Sequence, residues 1–409
     1  MQRRLILGAS VSAPMAAALG TAAAASLLAA NSKPAAAQTS NRASLDDLLR
    51  PYLAQYGLPA LAAAVVQRGT IVAAGAVGTR RAGTQIPITV DDRFHIGSDT
   101  KAMTSLLAAT FVEQGKLRWD STVAEVFPDL VAGMNPDLGK VTLLQLLSHT
   151  SGLPSDNDTF GDLLTKSFAL DSMNLDELRL WLVREWRGQK MAAPPGTKWA
   201  YSNLGYTMAG AMLERVSGRT WEELIVERIY TPFGLKSAGF GPQSSMGRVD
   251  APLGHVIEKN GTLKPILAGP DADNPLIIGP AGTAHLSVLD FATWAGWHAA
   301  GGKRAPHVVK PETVTKLHTK VADLPPRPDA APGTPGTGAY ALGWGIYQPT
   351  WAKEKLLTHN GSNMMNLASV WVLPSHDFAM VMMTNVSGTK ADDALKALAQ
   401  ALYGKYGPA

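Results

Sequence analysis

Two residues one helical turn apart carry the first chemical signal. In Phe94-His95-Ile96-Gly97-Ser98-Asp99-Thr100-Lys101 a serine precedes a lysine by three positions, and an apolar run follows through Ala102, Met103, Leu106, Leu107, Ala109 and Val112. That run predicts a helix of about four turns, closed by Gly115. With Ser98 in the first turn, Lys101 falls on the same face and its amine reaches the serine hydroxyl. Free backbone N–H groups and the positive end of the helix dipole face the same place. A serine hydroxyl attacks a carbonyl only when a neighbouring base takes its proton, and a partly buried lysine of lowered pKa can do so. Alone, the tetrapeptide is weak, since Ser98 as an N-cap and Lys101 as a solvated lysine explain it equally well.

Two further stretches give it company. Tyr201-Ser202-Asn203 offers a phenol that can relay a proton, as a phenolate if cations depress its pKa, and an amide that can fix Lys101 and hold a substrate amide. The alternative is a tyrosine that packs its ring and points its hydroxyl at water. His359-Asn360-Gly361-Ser362 ends a predicted strand. Gly361 there lets a substrate approach the backbone, and the N–H groups of Ser98 and Ser362 can together bind an oxyanion. His359 can donate to Tyr201 or to a substrate carboxylate, or simply cap a strand end.

The elements that must position these groups follow from periodicity. A helix is predicted over 43–56 and a hairpin from Ala60–Gln67 and Thr70–Val77, turning at Arg68-Gly69. Helical spacing recurs over 141–153, 171–188, 203–217, 220–229 and 288–299. Short strands (344–347, 356–359, 367–373, 378–385) and a closing helix (391–403) complete the chain. Pro/Gly-rich residues 324–338 read as a surface loop. With strands at both ends and helices between, one antiparallel sheet built from both termini, flanked by helices, accounts for the order. The mixed α and β arrangement then splits into an α/β lobe (about 43–100 and 340–409) and an inserted all-helical lobe (about 101–339).

Ser98-x-x-Lys101, Tyr201-x-Asn203 and His359-x-Gly361, in that order and widely spaced, resemble the serine β-lactamase/penicillin-binding protein superfamily. The wide first gap is similar to the branch of class C β-lactamases, D-alanyl-D-alanine carboxypeptidases and family VIII esterases. Phe94–Gly97, Leu146–Leu153 (Leu-Leu-Ser-His-Thr-Ser-Gly-Leu) and Gly205-Tyr206 are similar to that branch too. The resemblance spans residues 43–403 and implies a β-lactamase/transpeptidase-like fold with the site between its lobes. It implies that Ser98 is acylated, that Lys101 and Tyr201 handle its proton, and that Asn203 orients. His359 and Gly361 would line the site, and the amides of Ser98 and Ser362 would bind the oxyanion. One departure stands out: class C enzymes typically carry lysine where this chain has His359. Histidine holds a carboxylate less surely at neutral pH, which favours amidase, peptidase or esterase over β-lactamase. A non-catalytic peptidoglycan sensor is the reading from another class, although a pure binder needs none of Ser98, Lys101 and Tyr201.

Composition narrows the setting. The 409 residues are 46% hydrophobic and 17% charged, with net charge +4, so the chain is globular and large enough for a substantial core. Arg3, Arg4 and Lys33 lie in residues 1–37, which hold no acid, so the remainder is nearly neutral. No nucleic-acid partner is implied; a small-molecule or peptide substrate is. Met1-Gln2-Arg3-Arg4, an apolar Ala/Leu stretch and Ala35-Ala36-Ala37 before Gln38 predict a cleaved export signal at 1–37, with Arg3-Arg4 a weak pointer to the twin-arginine route. Pro14 and Gly20 argue against a stable membrane span. A bacterial periplasmic or secreted protein is expected, with residues 38–409 as one catalytic domain. Cysteine is absent, as are His-Glu-x-x-His, a P-loop, Gly-x-Gly-x-x-Gly after a strand and Gly-x-Ser-x-Gly. Neither a metal nor a cofactor is therefore called for. His149 reads as a turn residue, and Trp294 and Trp297 as packing.

Overall fold

Small and β-branched residues fill Ala60–Gln67 and Thr70–Gly78, and the two strands form the expected hairpin. At its turn Arg68 and Gly69 take φ of 49° and 78°, the left-handed pair that a tight two-residue hairpin demands. The computed structural model describes residues 42–170, 172–326 and 337–408. The export signal read at 1–37 lies outside them, as do residues 327–336 of the Pro/Gly-rich loop.

The hairpin belongs to a nine-stranded sheet. In order across it run Ala43–Ser44, Thr70–Gly78, Ala60–Gln67, Phe378–Thr384, Leu367–Leu373, Leu356–Ser362, Gly345–Tyr347, Ala339–Tyr340 and Ala322–Asp323. The first pair is parallel and the others are antiparallel. The two chain ends meet where Phe378–Thr384 pairs with Ala60–Gln67, from Phe378 opposite Gln67 to Thr384 opposite Leu61.

Alternation along each strand sorts its residues between two cores. Leu61, Ala63, Val65, Met380 and Met382 face Leu45 and Leu49 of the helix Asp46–Tyr56 and Leu395, Leu398 and Leu402 of the helix Thr389–Tyr406. Ala60, Ala62, Ala64, Val66, Val381 and Met383 face the larger core. There the helix Val288–Ala299 lies directly on the sheet, where a Cβ on Gly296 would stand 2.8 Å from Val66 Cγ1. This helix comes from the segment read as the helical lobe, so the sheet recruits part of that segment. Trp294 is fully buried and stacks on Trp344 at 5.4 Å, a packing role. The middle of the chain is also not helical throughout. Arg93–His95, Ala284–Ser287 and Gly239–Phe240 make a small three-stranded sheet, and Gly254–Ile257 pairs with Leu263–Ile266. Those strands escaped the sequence reading because each is only two to four residues long.

The strand Leu356–Ser362 runs against the turn that carries Ser98. A Cβ on Gly361 would collide with the Ile96 carbonyl oxygen and stand 2.5 Å from Ser98 N. From the other side, Gly97 has φ 49° and a Cβ there would stand 2.6 Å from the Gly361 carbonyl carbon. Glycine at both positions is a steric requirement of this contact. Gly361→Ala is expected to destabilise the fold by about 3 kcal/mol or more in urea unfolding. A loss below about 1 kcal/mol would mean that strand and turn separate freely.

Candidate active site

The Ser98 turn is built before its helix begins. Gly97–Asp99 form a single 3-10 turn, and the α-helix runs over Thr100–Glu113. Ser98 therefore sits just ahead of the regular helix instead of inside its first turn. Gly97 N donates to His95 Nδ1 at 3.0 Å, and Thr100 Oγ1 donates to Gly97 O at 2.6 Å. His95 Nε2 lies 2.6 Å from Asp273 Oδ1, which ties the turn to the loop before Gly279.

Lys101 is fully buried, and its Nζ has three oxygen neighbours. Ser98 Oγ lies at 3.0 Å, Asn203 Oδ1 at 2.7 Å and the Ala281 carbonyl oxygen at 2.7 Å. Burial pulls the Lys101 pKa down to about 7, although Asp156 and Asp99 pull it upward. Its amine also lies 4.8 Å from the centre of the Tyr201 ring. Tyr201 is half-buried, and its hydroxyl is close enough to the Ser98 side chain for that serine to lower the phenol pKa. Burial raises the Tyr201 pKa above that of a free phenol and outweighs the lowering by Ser98. The phenolate considered from the sequence is thus disfavoured, and Tyr201 is a neutral phenol beside the serine.

The second motif is held by a helix start and a buried imidazole. Ser202 caps the helix Asn203–Ser217, accepting from Gly205 N at 3.3 Å, which places Tyr201 and Asn203 on either side of the cap. Ser202 N donates to His149 Nδ1 at 3.1 Å, and Ala200 N donates to His149 O at 2.9 Å. The His149 ring packs 4.4 Å from that of Tyr201. Burial, then the charge of Lys101, holds His149 well below the usual histidine pKa, so it acts as a neutral acceptor that fixes the motif.

The third motif lies at the site but is wired differently from the expectation. His359 is buried, with Nδ1 2.9 Å from Asn360 O and Nε2 3.1 Å from Tyr340 Oη. A carbonyl opposite Nδ1 assigns the proton to that nitrogen, so Nε2 accepts from the Tyr340 hydroxyl. Its hydrogen-bond partner is thus Tyr340 and not Tyr201. Burial and the Lys101 charge push its pKa down to about 3, so His359 carries no charge to offer a carboxylate. Asp99 Oδ1 lies 3.5 Å from His359 Nδ1, and burial raises the Asp99 pKa well above the usual carboxylate range. Gly361 presses on the Ser98 turn, and the amide nitrogens of Ser98 and Ser362 flank that contact.

Asp156, Ala281 and Tyr340 were not legible as site residues. Asp156 Oδ2 accepts from Asn203 Nδ2 at 2.6 Å, yet it lies in a polar loop with no spacing rule to link it to Asn203. Ala281 contributes only a carbonyl, which leaves no side-chain signature. Among the described residues no group of three or more His, Asp or Glu is placed to hold a metal, and no helix is long and apolar enough to cross a membrane.

A protein-family model described as Beta-lactamase matches residues 45–405. Penicillin-binding protein 4 of Amycolatopsis lactamdurans is 27% identical over 316 residues, 76% of this chain and 76% of that protein. The unguisins hydrolase of Aspergillus campestris is 27% identical over 308 residues, 73% of this chain but only 54% of that protein, so the chain spans about half its length. The octameric penicillin-binding protein homologue of Pyrococcus abyssi superposes with a TM-score of 0.69 at 25% identity, over 88% of this chain and 76% of that one.

The carbonyl that meets Lys101 depends on a buried ion cluster. Arg179, fully buried, pairs with Glu214 and Glu222 and donates to Ile277 O at 3.0 Å and Leu276 O at 3.1 Å. Thr104 Oγ1, one turn beyond Lys101, donates to Pro280 O at 2.7 Å. Together they pin the segment that ends in Ala281. Arg179→Met leaves both carboxylates without their cation and is expected to cost about 3–5 kcal/mol in urea unfolding. A cost under about 1 kcal/mol would show that the segment holds its place unaided.

Proposed function

The chain belongs to the beta-lactamase family, and from that premise we propose that it is a serine hydrolase that cleaves an amide, peptide or ester bond through an acyl-enzyme on Ser98. The carrying observation is the Lys101 amine, buried and 3.0 Å from Ser98 Oγ. A neutral amine has two N–H bonds and one lone pair. The carbonyls of Asn203 and Ala281, each at 2.7 Å, take the two N–H bonds, which turns the lone pair to the serine hydroxyl. In the proposed reaction Lys101 takes the Ser98 proton as Oγ bonds to the substrate carbonyl carbon. The carbonyl oxygen gains the negative charge, and the amides of Ser98 and Ser362 stabilise it. Tyr201, beside Ser98, passes a proton to the departing amine or alcohol as its bond to the carbonyl breaks, and takes in its place the proton that Lys101 had gained. Water then attacks the acyl-enzyme, losing a proton to the same relay, and frees Ser98 and the acid.

Neutral His359 weakens the case for β-lactamase activity, since a β-lactam carboxylate meets no cation there. The export signal read at 1–37 supports action in the periplasm or medium. Nitrophenyl esters, nitrocefin and aminoacyl anilides, assayed on wild type and Ser98→Ala, test the proposal. Ser98→Ala is expected to lower turnover by about three orders of magnitude or more and to abolish labelling by a fluorophosphonate. Labelling that survives in Ser98→Ala would refute it. The acid limb of kcat/KM is expected near pH 7, because Lys101, pulled down to about 7, must lose its proton before it can act as base. A limb near pH 4 would point to a carboxylate base instead.

A further inference from the structure

We propose that Asp156 is a positioning and specificity residue that selects substrates bearing an ammonium group on the acyl side of the scissile bond. The inference rests on the hydrolase reading above and assigns a substrate class to that site. The class is amino-acid amides or esters, and peptides cleaved next to a free amino terminus.

Two features of the geometry carry it. Asp156 is exposed, and its Oδ2 accepts from Asn203 Nδ2 at 2.6 Å. An amide side chain can be turned end for end, and this contact decides which end faces inward. The NH2 group is drawn to the carboxylate, so Oδ1 faces Lys101 Nζ at 2.7 Å. Asp156 therefore sets the acceptor that orients the base. Its other oxygen, Oδ1, has no hydrogen-bond partner among the described residues, and the residue is exposed to solvent.

The charge around the catalytic set is the second feature. His359, where a cation would be needed to receive a carboxylate, has both ring nitrogens engaged by Asn360 O and Tyr340 Oη and is neutral. Asp99 is buried behind the serine. The exposed charge in contact with the catalytic set is therefore the Asp156 carboxylate. An acylamino substrate would bring a carbonyl oxygen toward the Asn203 NH2 group and meet that negative charge beside it. An ammonium group at the same place gains a charge-assisted hydrogen bond instead.

Aminoacyl p-nitroanilides with the amino group free or acetylated measure the selectivity. The wild type is expected to favour the free amine, and Asp156→Asn to reduce the ratio of the two kcat/KM values by about tenfold or more, the scale of a hydrogen bond to a charged group. Asp156→Glu is expected to restore part of that ratio. Because Asp156 raises the Lys101 pKa, Asp156→Asn is also expected to move the acid limb of the pH profile to lower pH, which a purely structural role would not do. An unchanged ratio, or a wild-type preference for the acetylated substrate, overturns the proposal. Calorimetric binding of phenethylamine and 3-phenylpropanoate to Ser98→Ala separates this inference from the reading beneath it. If fluorophosphonate fails to label Ser98, the hydrolase reading falls. Tighter binding of the amine, lost in Ser98→Ala/Asp156→Asn, would still uphold the charge selectivity, and tighter binding of the carboxylate would refute it.

Discussion

An amine sealed from water is the constraint on which this site depends. Burial penalises the ammonium form, and that penalty brings Lys101 to about 7. It also obliges the protein to satisfy every N–H the neutral amine still carries. The partners come from separate stretches: Asn203 at the start of one helix, and Ala281 in a turn held by Thr104 and, through its neighbours, by Arg179. With those two positions filled, Ser98 stands where the lone pair points. In the proposed reaction, the direction of proton transfer is thus a consequence of packing. A surface lysine at the same sequence spacing would stay protonated and activate nothing.

Bringing those stretches together requires a sheet that crosses the whole chain. The strand Leu356–Ser362 delivers the third motif onto the Ser98 turn, and it is positioned by the strands that join the N-terminal hairpin to the C-terminal half. The contact is backbone on backbone, which is why Gly97 and Gly361 face each other. A bulkier residue at either position would push the amide of Ser362 away from that of Ser98 before affecting any side chain.

Much of this was legible in the sequence, for identifiable reasons. The hairpin at Arg68-Gly69, the sheet from both ends and the amphipathic helix with Leu395, Leu398 and Leu402 follow from local periodicity, which short-range sterics enforce. Ser98 and Lys101 were legible because they flank the start of one helix, and Tyr201 and Asn203 because they flank the Ser202 cap of another. Long-range events were not legible. The short strands Arg93–His95, Gly239–Phe240 and Ala284–Ser287 exist only because they pair with one another across long stretches of chain. The partner of His359 proved to be Tyr340, 19 residues before it, and no spacing rule announces such a pair. Nor does sequence reveal that burial raises the pKa of Tyr201 when a nearby lysine suggests the reverse. That outcome depends on how much water reaches the ring.

The interior groups share one electrostatic fate. Burial drives Lys101, His149 and His359 toward their neutral bases, and Asp99 and Tyr201 toward their neutral acids. Five buried or half-buried titratable side chains therefore lie within the site and its supporting contacts with little net charge among them, in a region of low dielectric. In such a place a single charge at the rim is felt strongly, because few mobile dipoles intervene to screen it. Lysine at position 359 would add a cation to the third motif and turn the field to attract anions. With histidine there, already occupied by Asn360 and Tyr340, the field at the mouth is left to Asp156. The carboxylate that holds the Asn203 amide in register is thus also the one that, in the proposed reading, gives the cleft its sign, so that alignment of the base and substrate choice would be coupled through one oxygen contact.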